Sequence, residues 1–120
     1  MTYFFDTYAI IEIFKKSKNY ERYTQEEIQT SVLNIGELYF YLLREKGELE
    51  ADRWRNLLTP SAFLIEINDI VKAMNFKLEN KNKNLSFVDC VSYTIAKENG
   101  LIFLTGDKEF ENMGNVEFVK

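Results

Sequence analysis

The sequence predicts one three-layer α/β/α domain built on a parallel sheet, and three observations carry that prediction. Short runs that are apolar on both faces alternate with longer stretches of helical period from one end of the chain to the other. No repeat or low-complexity linker interrupts them, and Pro60, the sole proline, stands between two patterned segments. At 120 residues, 46% hydrophobic and 28% charged, the chain suits a single domain, residues 1–120, with a core that needs no staples. Strands apolar on both faces and separated by helices belong in a parallel sheet covered on both sides and joined by right-handed crossovers.

Taken in order, residues 2–5 (Thr-Tyr-Phe-Phe) form a buried strand, and Thr7 to about Lys16 an apolar helix. A polar stretch rich in Tyr, Lys and Glu follows. Ile28 to Leu33 fits a second strand, after which Asn34 opens a helix to Lys46 that Gly47 closes in the left-handed region. Residues 48–58 make a further helix and Phe63 to Ile67 a third strand. Asn68 caps a helix to about Leu78, and Glu79 to Leu85 is a polar loop. Ser86 caps the next helix, which ends at Asn99 before Gly100. Leu101 to Leu104 is a fully apolar fourth strand; a short helix at Lys108 to Asn112 and a last strand at Val116 to Val119 complete the order.

Composition narrows the chemistry. A lone cysteine, Cys90, cannot form an internal disulfide, so a reducing, cytoplasmic setting is expected. The absence of histidine removes Ser-His-Asp and Cys-His nucleophilic sites and imidazole-based zinc sets. Met1 to Ile13 is apolar but carries Asp6 and Glu12 and lacks a basic start, so no export or membrane segment is expected. A net charge of −4 disfavours a polyanionic partner at first sight.

The acids that stand alone among apolar residues change that view. In parallel α/β sheets, ligands bind beyond the carboxyl ends of the strands. Asp6 follows the first strand directly, and Asp107 follows the fourth after Thr105 and Gly106. Glu37 and Asp89 lie in the first turns of helices that begin at the same edge. Four carboxylates gathered at one rim repel one another unless a cation compensates. A hard divalent ion, Mg²⁺ or Mn²⁺, is the natural compensation, since it takes oxygen ligands together with a substrate phosphate. With four of the 19 acids neutralised, the remaining 15 balance the 15 Lys and Arg, so the loaded surface need not repel RNA. Thr7 and Thr105 are expected as supporting hydroxyls or turn residues.

Each acid also has a purely structural reading, and both remain open at this point. Asn34-Ile-Gly-Glu37 and Ser86-Phe-Val-Asp89 match the capping-box pattern, while Asp6 and Asp107 are placed to cap the helices that follow them. Cys90 reads as a helix residue of modest burial, and Lys72, Lys77, Lys81 and Lys83 as a solvated face rather than an RNA track. Trp54, between Arg53 and Arg55, reads as a core anchor more readily than as a base-stacking group. Tyr39, Phe40, Leu42 and Leu43 with Ile10, Ile11, Ile13 and Phe14 give two helices more than one apolar stripe, expected to serve a homodimer or a partner peptide.

Taken together, these residues resemble the PIN-domain ribonucleases, especially the VapC-type toxins of bacterial and archaeal toxin-antitoxin pairs. The resemblance spans essentially the whole chain. It is most specific in Leu85-Ser86-Phe87-Val88-Asp89, then Ala96 and Gly100, then Leu104-Thr105-Gly106-Asp107-Lys108-Glu109-Phe110. Phe5-Asp6-Thr7 and Ile35-Gly36-Glu37-Leu38 are similar to the family's first two motifs. Tyr8 departs from the small residue often found after Asp-Thr, and Glu109 stands where an additional acid is sometimes seen. The resemblance implies a five-stranded parallel sheet of order 3-2-1-4-5, with Asp6, Glu37, Asp89 and Asp107 as metal-binding acids. It further implies Mg²⁺- or Mn²⁺-dependent cleavage of single-stranded or looped RNA, commonly a transfer or ribosomal RNA, with an antitoxin protein covering the site. Other readings are a PIN nuclease of RNA maturation, a catalytically silent partner-binding relative, and a phosphoacceptor domain of the response-regulator type. The last calls for adjacent acids after the first strand, where this chain offers only Asp6.

Overall fold

The computed structural model describes residues 2–120, so Met1 of the apolar opening stretch lies outside the described residues. Three strands form a parallel sheet in the order β1-β2-β3: β1 Tyr3–Phe5, β2 Ile102–Thr105 and β3 Val116–Phe118. Register is set by Tyr3 opposite Ile102 and Phe5 opposite Leu104, then Phe103 opposite Val116 and Thr105 opposite Phe118. Five α-helices accompany them: α1 Thr7–Phe14, α2 Val32–Glu45, α3 Glu48–Leu58, α4 Ile67–Glu79 and α5 Phe87–Glu98. Single 3₁₀ segments occur at Lys18–Tyr23, Thr59–Ser61 and Lys108–Phe110.

Period-2 alternation in the strands divides the core between the two sheet faces. Tyr3, Phe5 and Leu104 face α1 and α2, where Ile10, Leu38, Leu42 and Leu58 are buried with them. Phe4 and Phe103 face the other side and pack with Val91, Tyr93 and Ile95 of α5, Ala73 of α4 and Phe110. This is the α/β/α layering expected from strands apolar on both faces. On the first side α2 packs on α3, and on the second α4 packs on α5.

Two of the expected strands are reduced to single parallel bridges, Gln29 with Phe4 and Ser31 with Phe63. The described sheet therefore has three full strands rather than five. Local capping chemistry explains the loss. The Ser31 hydroxyl accepts from Leu33 N–H (3.2 Å) and Asn34 N–H (3.3 Å), so α2 starts at Val32 and takes over the end of the expected strand. Likewise Glu66 and Asp69 form a capping box that starts α4 at Ile67, ahead of the expected Asn68 cap. Asn34, expected as a cap, is buried inside α2. The short helix expected at Lys108 to Asn112 is a 3₁₀ turn over Lys108–Phe110.

The last residues are tied to the sheet and to α1's neighbourhood. Val119 N–H donates to the Thr105 carbonyl (2.9 Å), and the Tyr20 hydroxyl donates to the Val119 carbonyl (2.6 Å). At the far end of β1, the Tyr3 and Tyr23 hydroxyls both donate to Glu117 on β3. Among the described residues, no helix is long and apolar enough to cross a membrane.

Candidate active site

The four acids singled out from the sequence line one pocket of about 410 Å³, together with Thr7, Tyr8, Gly106, Lys108 and Lys120. Parallel pairing of β1 with β2 puts the ends of those strands side by side, and Asp6 and Asp107 leave from that edge. Asp6 precedes α1 and is buried; its Oδ1 accepts from Thr7 N–H (2.9 Å) and its Oδ2 from the Thr105 hydroxyl (2.7 Å). Thr105 Oγ1 in turn accepts from Asp107 N–H (3.1 Å), so one buried hydroxyl joins the two strand-end acids.

Glu37 reaches the pocket from the exposed side of α2. Its Oε1 accepts from the Thr7 hydroxyl (2.6 Å), and Thr7 Oγ1 accepts from Asn34 Nδ2 (3.1 Å). Asn34 Oδ1 receives the hydroxyls of Ser31 (2.6 Å) and Ser92 (2.9 Å). A chain of buried hydrogen bonds thus runs from α5 and the start of α2, through Asn34 and Thr7, to Glu37. Sequence reasoning missed Asn34 and Ser92 as members of the site. Their signal was available only in part: Asn inside an apolar helical stretch is costly unless its amide finds partners.

The structural readings of three acids hold as well. Asp6 caps α1, Asp89 forms a capping box with Ser86, and Asp107 Oδ1 caps the 3₁₀ turn by accepting from Glu109 N–H (3.0 Å). Asp89 Oδ2 accepts from Ser86 N–H (2.8 Å). Capping fixes where these carboxylates stand and leaves Asp89 Oδ1, Asp107 Oδ2 and Glu37 Oε2 outside any described hydrogen bond. The capping box expected for Glu37 is absent, since Ser31 caps that helix.

The electrostatics show that these acids sense one another. Burial raises Asp6 to about 7, and the negative charges of Asp89 and Glu37 add to it against the hydrogen bonds from Thr105 and Thr7. Glu37 is raised by enclosure of its carboxyl and by Asp89, and Asp89 by burial and by Asp107. No lysine or arginine ion-pairs with any of the four within 4.0 Å among the described residues. In donor chemistry the set fits a hard divalent cation: all oxygen, partly dehydrated and short of positive charge. It is not a preassembled cage, because among the described residues no three acidic or sulfur side chains converge as a ligand group.

Other sequence expectations resolve as follows. Cys90 is fully buried, against the modest burial expected, because α5 is wedged between the sheet and α4. Trp54 is an anchor, edge-on to Phe14 at 5.8 Å. Lys72 pairs with Glu98, and Lys77 Nζ donates to the Leu85 carbonyl, so these cations serve local contacts. Ile10 and Leu42, expected on a partner surface, are core residues, whereas Phe40 and Leu43 remain 61% and 41% exposed.

The chain matches the PIN domain family over residues 3–116 and belongs to that family. Solved structures with the same fold include VapC20 of Mycobacterium tuberculosis, a Sarcin-Ricin loop cleaving toxin, at 19% identity and a TM-score of 0.81, with 99% of this chain and 100% of that one covered. A toxin-antitoxin complex from Klebsiella pneumoniae is similar at 17% identity and a TM-score of 0.79, covering 97% of this chain and 96% of that one. VapBC2 of Rickettsia felis, bound to a DNA fragment from its promoter, is similar at 16% identity and a TM-score of 0.70, with both chains covered in full. Comparison with curated proteins finds no match in sequence.

Proposed function

We propose that the protein is a divalent-metal-dependent endoribonuclease and the toxin of a type II toxin-antitoxin pair. The observation that carries this reading is the meeting of Asp6, Glu37, Asp89 and Asp107 in one pocket with no lysine or arginine ion-paired to any of them among the described residues. Asp6, Asp89 and Asp107 would hold Mg²⁺ or Mn²⁺, with Glu37 completing the set through its unengaged oxygen. When bound, such an ion supplies Lewis-acid stabilisation of the attacked phosphate and acidifies a water. The protein's own contribution is positional. Thr105 holds Asp6 against Asp107, and the Asn34-Thr7 chain holds Glu37 Oε1, so that Oε2 is the atom left to orient a water or accept its proton.

RNA is the substrate that fits an acid-lined, cation-requiring phosphodiester site of this family. The Mycobacterium tuberculosis relative is a Sarcin-Ricin loop cleaving toxin, and structured or single-stranded transfer or ribosomal RNA is the first class to test here. An antitoxin partner is supported by the toxin-antitoxin complexes among the similar structures. Exposed apolar residues give such a partner, or a second copy of the chain, something to cover: Phe40 and Leu43 on α2, and Ile67, Val71 and Leu78 on one face of α4. The fold is also compatible with the order 3-2-1-4-5, with the Phe63 and Gln29 bridges marking where the two further strands would lie.

The deciding experiment is cleavage of total RNA with Mg²⁺, with Mn²⁺ and with chelator, by the parent and by Asp89→Asn. Cutting that needs metal and falls by about 100-fold or more in the variant is expected, the scale of losing a group that stabilises charge in the transition state. Equal cutting by both proteins rejects the assignment of Asp89. Growth arrest on expression alone separates a toxin from an RNA-maturation nuclease, and metal binding without cleavage would mark a silent partner-binding relative.

A further inference from the structure

Acid chemistry explains only part of the pocket lining; Tyr8 and Lys120 stand outside it. At Gly106 the Tyr8 ring meets Val119, the residue before Lys120. A Cβ on Gly106 would lie 2.3 Å from Tyr8 Cε1 and 2.5 Å from the Val119 carbonyl oxygen, so the ring and the final segment close on a point only glycine can occupy. That segment is held on several sides. The Lys120 carbonyl accepts from Asn19 Nδ2 (2.9 Å), the Val119 carbonyl from the Tyr20 hydroxyl (2.6 Å), and Val119 N–H bonds Thr105 (2.9 Å). Lys120 shares a pocket with four carboxylates yet forms no ion pair among the described residues, and it does not figure among the charges that shift Asp6, Glu37 or Asp89. The Lys120 side chain is exposed at this rim, and its ammonium can reach an anion from outside. The Tyr8 hydroxyl likewise has no described hydrogen-bond partner, and the residue is only partly buried.

We propose that Tyr8 and Lys120 form a nucleotide-binding wall beside the carboxylates, with Lys120 holding a backbone phosphate next to the scissile one and the Tyr8 ring stacking on a base. This assignment rests on the ribonuclease reading. It also answers how a net acidic protein places a polyanion against four acids: a cation on a tethered main chain and an aromatic ring line the same pocket. Single strands are gripped in this way, through backbone charge and sequence-tolerant stacking.

The test is fluorescence anisotropy of a short labelled single-stranded oligoribonucleotide in chelator, where no cleavage competes, with KM for cutting measured separately in Mg²⁺. The proteins are the parent, Lys120→Ala, Lys120→Arg, Tyr8→Leu, Tyr8→Phe and, as a control on an exposed lysine outside the pocket, Lys97→Ala. Lys120→Ala is expected to weaken binding several-fold and to flatten the dependence of log Kd on log salt by about 0.7 between roughly 50 and 200 mM, the loss of one phosphate contact to a single strand. Lys120→Arg should retain both. Tyr8→Leu should weaken binding by about fivefold or more with the salt slope unchanged, while Tyr8→Phe binds like the parent. Lys97→Ala should match the parent throughout. Parent-like affinity and salt slope in both Lys120→Ala and Tyr8→Leu overturn the wall while leaving the nuclease standing, as would an unchanged KM. Failure of the parent both to bind and to cut RNA would remove the wall and the ribonuclease reading together. Thermal melts accompany each variant, and if Tyr8→Leu does not fold, the Lys120 pair decides.

Discussion

At the scale of single residues, Asp6 concentrates the tension in this site. It is 5% exposed, accepts two hydrogen bonds and still titrates at about 7, because burial and two neighbouring acids outweigh those bonds. A carboxyl whose folded pKa lies above its unfolded value binds its proton more tightly in the native state. Stability contributed this way is present at low pH and is lost as pH rises from about 4 to about 7, by at most about 4 kcal/mol. Urea denaturation across that window should show the decline in the parent and a much flatter profile in Asp6→Asn. An Asp6→Asn curve parallel to the parent's would mean that another group controls the slope.

Elements place these residues through their ends. Ser31 stops a strand and starts α2, and the same hydroxyl donates to Asn34, which holds Thr7 and through it Glu37. Ser31→Ala should therefore cost about 1–2 kcal/mol of stability, as expected for a lost N-cap, and should also free Asn34 on one side. Gly106→Ala is expected to cost about 2 kcal/mol or more. Its Cβ meets a backbone carbonyl as well as the Tyr8 ring, and the carbonyl is tied to Tyr20 and cannot yield cheaply. Chemical denaturation of the two variants measures both effects, and a Gly106→Ala protein as stable as the parent would contradict the close approach.

Element ends are also where the sequence was least legible. The helices α3 and α5 lie where the sequence placed them, α5 between its Ser86 cap and Gly100 at φ +67°, whereas Gly47, expected to close the preceding helix in the left-handed region, takes φ +95° and ψ 175° and stands at the N-cap of α3. The runs 28–33 and 63–67 were legible only in part: Gln29, Ser31 and Phe63 keep single parallel bridges, while helices start at Val32 and Ile67, because short segments rich in Ile, Val and Leu suit a strand or a helix start equally. Competition between Ser31 and Asn34, or Glu66 and Asn68, for a helix N-terminus is settled by which side chain the surrounding layers bury. Asn34 could not serve as a cap once the core needed its amide between α1, α2 and α5.

At the scale of the whole molecule, the site is an unbalanced charge assembled by a stable frame. A radius of gyration of 13.8 Å is that of a compact chain of this length, and the sheet with its two helical layers brings the four carboxylates to one pocket. Divalent metal should then stabilise the fold by binding the native state alone, by about 2.7 kcal/mol at a hundredfold excess over Kd. The stabilisation should be larger at pH 8 than at pH 5.5, since Asp6 must give up its proton, and smaller in Asp107→Asn. Differential scanning fluorimetry with Mg²⁺ and Mn²⁺ tests this, and a melting temperature indifferent to both ions would remove the metal from the proposed chemistry.

Apolar runs, helix-ending glycines and isolated acids were enough, from the amino acids alone, to determine a layered α/β domain and to bring Asp6, Glu37, Asp89 and Asp107 to one edge. That information is local, carried by spacing and by residue type at the ends of strands and helices. Only the tertiary structure decided that the sheet keeps three full strands among the described residues, that Asn34 and Ser92 wire Glu37 to α5, and that Tyr8 and Val119 close on Gly106. Those outcomes depend on contacts between residues up to 114 positions apart, whose energies arise only when the layers pack and buried polar groups must find partners.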